Sequence, residues 1–235
     1  MNIAIIGASG GIGMALVEHY LETEAECEIH ASYNTTVPTL SDKRLHWHQA
    51  DVSDEQQVST LAEQLPKLDL LINAVGVLHT EQQMPEKSVR EFNAGFFQEN
   101  ISANTVSSVL LAKHFATHLK SPQKSCFAAI SARIGSIEDN RIGGWISYRV
   151  SKAALNMALK TISVEWKYKN PNCCVVALHP GTTDTELSKP FQRNVPEGNL
   201  QTPAAVAEQL AQVIANLSSN DTGKFFAYDG STIPW

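Results

Sequence analysis

Met1-Asn2-Ile3-Ala4-Ile5-Ile6-Gly7-Ala8-Ser9-Gly10-Gly11-Ile12-Gly13 opens the chain, and the reading of this stretch decides the fold. An apolar run of strand type, Ile3–Ile6, stops at a glycine, and a segment with helical spacing, Gly11–Leu21, follows. Gly7, Gly11 and Gly13 fall in a G-x-x-x-G-x-G pattern, with Ser9, Gly10 and Ile12 completing the turn. A chain that leaves a buried strand and enters a helix this quickly must turn tightly. Small residues allow the turn and leave the amides at the helix N-terminus open, where the dipole favours an anion such as a pyrophosphate. The pattern gains meaning from its place between the first strand and the first helix.

The same alternation continues outward. Ile3–Ile6, Cys27–Ser32, Leu68–Asn73, Cys126–Ser131, Cys173–His179 and Phe225–Ala227 read as strands with little polar alternation, as in a parallel sheet covered on both faces. Gly11–Leu21, Asp54–Leu65, Asn100–Leu119, Ser147–Lys169 and Pro203–Leu217 read as helices. Strand–helix alternation at this spacing predicts right-handed crossovers and a doubly wound α/β sheet, one domain over residues 1–235. The stretch Asp184–Thr202 lacks periodicity and contains Pro190, Pro196 and Gly198, so it is expected to be a loop that covers a substrate.

Composition removes several function classes. The chain has 235 residues, 43% of them hydrophobic, enough for one large core. A net charge of -6 without a Lys/Arg-rich run argues against nucleic-acid binding. Cys27, Cys126, Cys173 and Cys174 lie in or beside apolar runs and are expected as buried free thiols. No secretory leader or bilayer-length apolar run is visible, so the expected location is cytoplasmic. His46-Trp47-His48 puts two imidazoles on one side of a strand but lacks a companion Cys, Asp or Glu at metal spacing, so no metal is expected. No G-x-S-x-G elbow is present for serine hydrolysis.

Two further segments carry chemistry. The second strand ends Ala31-Ser32-Tyr33-Asn34-Thr35-Thr36 and has no carboxylate. An acid there would hold ribose hydroxyls and repel a 2′-phosphate, whereas an amide and hydroxyls can donate to one. NADP(H) is therefore expected over NAD(H), with Asn34 near the phosphate. Tyr148-Arg149-Val150-Ser151-Lys152 places a phenol and an ammonium four residues apart on one helix face. A free tyrosine, with a pKa near ~10, is a poor acid or base at neutrality. A cation at ~4 Å and an effective dielectric of ~20 contributes about 4 kcal/mol, enough to bring a tyrosine down to about 7.

In order along the chain, these motifs resemble the short-chain dehydrogenase/reductase family, from Gly7 to the closing Asp229-Gly230. The resemblance implies a Rossmann-type sheet and hydride transfer between a nicotinamide and a carbonyl/alcohol pair. Tyr148 would be the acid/base and Lys152 its charge partner. Asp51-Val52 matches the family segment at the adenine, and Asn73-Ala74-Val75-Gly76 matches its N-N-A-G segment beside the ribose. Asn104 matches the catalytic asparagine that holds a water in a proton relay, with Asn100 as the competing position. Pro180, Gly181, Thr183 and Thr185, in His179-Pro180-Gly181-Thr182-Thr183-Asp184-Thr185, match the segment that holds the carboxamide. Two positions depart from the family. Ile6 replaces a threonine, and in Ile130-Ser131-Ala132-Arg133-Ile134-Gly135-Ser136 the usual catalytic serine is Ala132. Ser131 is expected to take that role, with Ser136 or no hydroxyl as alternatives. Asn140–Asn156, NRIGGWISYRVSKAALN, is similar to the C-factor-like or sniffer-like branch, which is linked to carbonyl reduction and, in bacteria, to cell–cell signalling. Family members usually pair the helices matching Asn100–Leu119 and Ser147–Lys169 across a two-fold axis, which implies a homodimer or homotetramer. A cofactor-binding sensor without catalysis, and a nucleotide-sugar epimerase, are the competing functions. The short C-terminal portion leaves little room for the epimerase's sugar-nucleotide domain.

Overall fold

The computed structural model describes residues 1–235, apart from the side chain of Asn194. Its elements are β1 (Asn2–Ile6), α1 (Gly11–Thr23), β2 (Glu28–Tyr33), β3 (Leu45–Gln49), α2 (Glu55–Gln64), β4 (Leu70–Asn73), α3 (Ala94–Ile101), α4 (Ser107–Phe115), β5 (Ser125–Ile130), α5 (Ile146–Lys169), β6 (Cys173–His179), β7 (Thr182–Thr183), β8 (Leu200–Gln201), α6 (Pro203–Asn216) and β9 (Lys224–Ala227). Seven strands form one parallel sheet in the order β3-β2-β1-β4-β5-β6-β9. The order reverses at β1, which pairs with β2 on one side and β4 on the other. Such a switch point leaves a crevice beyond the carboxyl ends of the strands.

Alternate residues of each strand feed two cores. Ile3 and Ile5 of β1 pack with Leu16, Val17 and Tyr20 of α1 and Val206, Leu210 and Ile214 of α6. Ala4 and Ile6 face Val58 and Leu61 of α2, Leu111 and Phe115 of α4, and Leu155 and Leu159 of α5. This two-sided burial explains the uninterrupted apolar runs. Ile6, where the family has threonine, is 1% exposed within the second core.

Three expectations need correction. The list of expected strands omits β3, a five-residue edge strand that carries His46-Trp47-His48. Helix Asn100–Leu119 is instead α3 from Ala94, a π-helical segment Ser102–Val106, and α4 ending at Phe115. Asn93 starts α3 by accepting from the Phe96 amide at 3.0 Å, and the extra residue of the π turn falls where Asn104 turns inward. The stretch 184–202 is not structureless: a 3-10 helix, Lys189–Asn194, and β8, paired in parallel with β7, lie within it.

Candidate active site

The glycine turn is held from below by β2. Ser32 Oγ accepts from the Gly7 amide at 3.0 Å, and the Ser32 carbonyl accepts from the Ala8 amide at 2.8 Å. Gly7 adopts φ +76°, and a Cβ there would lie 2.7 Å from Val75 Cγ2. A side chain on Gly13 would overlap the Gly7 carbonyl, and one on Gly11 would come within 2.5 Å of Thr185 Cγ2. Gly7 and Gly13 therefore require glycine, and a side chain at Gly11 would have to displace Thr185. Gly10, the N-cap of α1, supplies no side-chain cap, and the first helical turn carries no acid. These open amides fit a pyrophosphate by charge and by shape.

A cleft of about 730 Å³ opens above this turn. Ser9, Gly10, Gly11, Ile12 and Gly13 of the turn line it together with Ala74, Gly76, and Tyr148 and Lys152 of α5. Pro180, Gly181, Thr183 and Thr185 border it after β6. Asn34 lies outside this lining, exposed at the end of β2, with no carboxylate among the adjoining Thr35 and Thr36. Asp51 Oδ1 accepts from the Ser53 amide and hydroxyl at 2.9 and 2.7 Å, next to buried Val52. Asn73 is 2% exposed and lies behind the lining. Its amide donates to Ser108 Oγ at 2.7 Å, and its carbonyl accepts from the Val75 amide at 3.0 Å, so it fixes the turn that carries Ala74 and Gly76.

Tyr148 and Lys152 are buried at 8% and 2% exposure. The Lys152 ammonium donates to the Ile130 carbonyl at 2.9 Å and stands 5.8 Å from the centre of the Tyr148 ring. Burial pushes Lys152 down to about 8 and pushes the Tyr148 phenol above its ordinary value. The expectation that Lys152 lowers Tyr148 is thus corrected for the protein alone. Desolvation sets the direction for the phenol, and the ammonium donates to the end of β5. A Cβ on Gly76 would lie 3.4 Å from both Lys152 Nζ and Asn104 Oδ1, so this glycine leaves the two heads facing one small space.

Asn104, 1% exposed, brackets residue 77: its Oδ1 accepts from the Val77 amide at 2.7 Å, and its Nδ2 donates to the Val77 carbonyl at 2.8 Å and to Ser151 Oγ at 2.9 Å. Asn100 points back along α3, its amide donating to the Phe96 carbonyl at 3.0 Å. Geometry thus places Asn104, not Asn100, beside Lys152.

The serine assignment changes. Ser131 lines the cleft, but its hydroxyl donates to Asn156 Oδ1 at 2.6 Å, inside the contact between β5 and α5. A hydroxyl has one hydrogen, so Ser131 has none free for a carbonyl oxygen. Ser136 is 2% exposed and outside the lining, with its hydroxyl toward the Trp235 carbonyl at 3.4 Å. Ala132, extended at φ -149° and ψ 145°, lines the cleft in the place of the expected hydroxyl.

The sequence reading missed four groups here. Trp145 and Phe191, 4.7 Å apart between centroids, wall the cleft with Leu78 and Val195. His179 also lines it, its Nδ1 accepting from the Arg133 amide at 3.2 Å while burial pushes it down to about 4. Glu86 is buried behind the start of α5. His179 and Trp145 stand in the quoted motifs and Phe191 in the stretch 184–202 expected to cover a substrate, but their places in the cleft, like the burial of Glu86, come from tertiary contact. The described residues hold no cluster of three potential metal ligands, and no helix among them is long and apolar enough to cross a membrane.

Comparison with known proteins agrees with this geometry. Residues 1–196 match the family model described as short chain dehydrogenase. The chain is 29% identical over 189 residues to 1-hydroxy-2-glutathionyl-2-methyl-3-butene dehydrogenase of Rhodococcus sp. (strain AD45), covering 79% of this chain and 78% of that one. It is 36% identical over 108 residues to C-signal of Myxococcus xanthus, covering 46% and 60%. The NADPH-bound carbonyl reductase from chicken fatty liver shares the fold at a TM-score of 0.87 and 24% identity, over 100% of this chain and 94% of that one. The chain belongs to the short-chain dehydrogenase family and is an NAD(P)-dependent oxidoreductase.

Proposed function

We propose that this oxidoreductase is an NADP(H)-dependent carbonyl reductase of the C-factor-like branch, acting on a small-molecule carbonyl/alcohol pair with Tyr148 as acid/base. The observation that carries this reading is the placement of buried Tyr148 and Lys152 in the cleft that the open glycine turn also lines. A bound nicotinamide would supply or accept the hydride. In the reducing direction Tyr148 donates its proton to the carbonyl oxygen, and its upward-pushed pKa keeps that proton in place at neutral pH. Lys152, charged below about 8, stabilises the negative charge left on the phenol. Asn104 orients the turn at Val77 and faces Lys152 across Gly76, as a relay from the lysine requires. The amides of Ser9–Gly13 would hold the pyrophosphate. Asn34, without an adjacent acid, would face the 2′-phosphate, Asp51 and Val52 the adenine, and the turns at Ala74–Gly76 and Pro180–Thr185 the ribose and carboxamide.

The C-signal similarity and the missing serine at Ala132 support one alternative, a nucleotide-binding sensor with little turnover. One experiment separates the two. Aldehydes, diketones and aryl ketones are offered with NADPH and with NADH, and loss of reduced-nicotinamide absorbance is followed. Turnover preferring NADPH, reduced by a factor on the order of 10² to 10⁴ in Tyr148→Phe with NADPH affinity unchanged, is the expected result. A Tyr148→Phe enzyme as active as the parent overturns the acid/base assignment.

A further inference from the structure

We propose that Glu86 is a positioning residue for Tyr148: it sets the start of α5 from outside the helix. The proposal rests on Tyr148 as the acid/base. The long helix α5 begins without any cap of its own. Its N-cap, Trp145, has no side chain able to accept from the helix amides, and the first turn carries no acid. Trp145 is moreover the only non-glycine residue of positive φ among the described residues, at +52°. An uncapped helix start held in a left-handed entry conformation needs partners from elsewhere.

Glu86 provides them. Its backbone carbonyl accepts from the Trp145 amide at 2.5 Å, its Oε2 accepts from the Ser147 amide at 3.2 Å, and its Oε1 accepts from the Ser147 hydroxyl. Glu86 and Ser147 are 1% and 0% exposed, so water cannot substitute for these bonds. The next residue is Tyr148. Arg149 adds a second clasp on the entry turn: its Nε donates to the Gly144 carbonyl at 3.0 Å and its Nη2 to the Gly143 carbonyl at 3.1 Å.

Glu86 lies on the chain that leaves β4 through Gly76 and Val77, the segment that Asn104 brackets. One connection therefore passes Lys152 at Gly76, bonds Asn104 at Val77 and meets the start of α5 at Glu86. Loss of the Glu86 side chain would free the first turn of α5 to rotate or fray while Lys152, one turn further in, stays fixed to Ile130. Tyr148 would then lose its register with the carbonyl oxygen, while the glycine turn between β1 and α1 would be untouched.

The test compares parent, Glu86→Ala, Glu86→Gln and Ser147→Ala with NADPH and the best carbonyl substrate, well below each melting temperature. Glu86→Ala should lower kcat by a factor on the order of 10 to 100 with the Kd for NADPH unchanged. It should also raise the solvent deuterium isotope effect on kcat, because a displaced Tyr148 makes proton delivery slower. Glu86→Gln keeps an acceptor for the Ser147 amide and should recover most of the turnover. Ser147→Ala, which removes one donor, should lose several-fold with the same isotope signature. A lowered melting temperature with parental kcat and isotope effect would make Glu86 a fold stabiliser only and overturn the proposal. If Glu86→Ala does not fold, parental values in Ser147→Ala overturn it equally. Tyr148→Phe is run alongside: a loss there with none in the Glu86 and Ser147 variants sinks only this proposal, whereas an active Tyr148→Phe enzyme sinks the acid/base reading beneath it.

Discussion

Lys152 and Tyr148 show how burial, more than pairing, sets the chemistry of single residues in this cleft. The lysine is pushed down to about 8 by desolvation, so its ammonium is fully present below that pH and disappears as pH rises through it. If that cation stabilises the phenolate, carbonyl reduction should hold steady below pH 8 and fall above it. Lys152→Met should lower turnover and remove the break, and a pH–kcat profile for both proteins decides the matter. The neighbouring strand end supplies a second residue-scale prediction. Ser131→Ala leaves Asn156 Oδ1 without its donor in a buried contact, so it should cost about 1–3 kcal/mol of stability in denaturant unfolding while lowering kcat little. Ala132 faces the cleft on the other side of the extended chain. Ala132→Ser should therefore raise turnover by a factor on the order of 10, since an added hydroxyl can donate to the developing oxyanion. An unchanged kcat in Ala132→Ser would show that the hydroxyl does not reach the substrate.

Among elements, strands that carry an apolar run were legible in the sequence, the edge strand β9 included, and the polar edge strand β3 was not. The central strands β1, β4, β5 and β6 read as apolar runs because both sides of the sheet are covered. Strand β3 sits at the edge, and its alternate residues His46 and His48 face toward His30 of β2, so it lacks the apolar run by which the other strands were read. The motif residues of the cleft were likewise readable, because the glycine turn and the Tyr148–Lys152 spacing are local. Ser131, Glu86 and Trp145 were not, because their roles depend on partners 25, 61 and 59 residues away. The edge strand also carries a pH response. Burial, with the charges of His48 and His46 adding to it, pushes His30 down to about 4, and His30 Nδ1 lies 3.2 Å from His48 Nε2. The unfolded chain takes up a proton near 6.5, the folded one only near 4, so stability should fall as pH drops through that window. His179 adds to the same slope. A His30→Gln variant should show a shallower loss of stability between pH 6.5 and 4 in urea titrations, and a parental slope would refute the assignment.

For the whole molecule, the exposed side of the site helix carries the proposal of an assembly. On α5 the residues Tyr148, Lys152, Leu155, Leu159 and Trp166 are buried. On the opposite face Val150, Met157 and Val164 recur every seven residues, at 39%, 66% and 50% exposure. A seven-residue repeat keeps an apolar stripe on one side of a helix over several turns. Tyr168, 90% exposed, extends that stripe, and Val106 and Val109 expose apolar surface at and just after the start of α4, the helix that packs beside α5. Exposed apolar surface of this kind on a helix points to an interface. The expected assembly is a homodimer across α4 and α5, or a tetramer containing that pair. Light scattering at micromolar concentration should give at least twice the monomer mass, and Met157→Glu with Val164→Glu should return it to the monomer by placing carboxylates in the apolar contact. Because those substitutions lie on the far side of α5 from Tyr148 and Lys152, NADPH affinity in the monomeric variant should stay within a few-fold of the parent. A parental protein that runs as a monomer would show that the stripe serves no self-association, and a dimeric double variant would place the interface elsewhere.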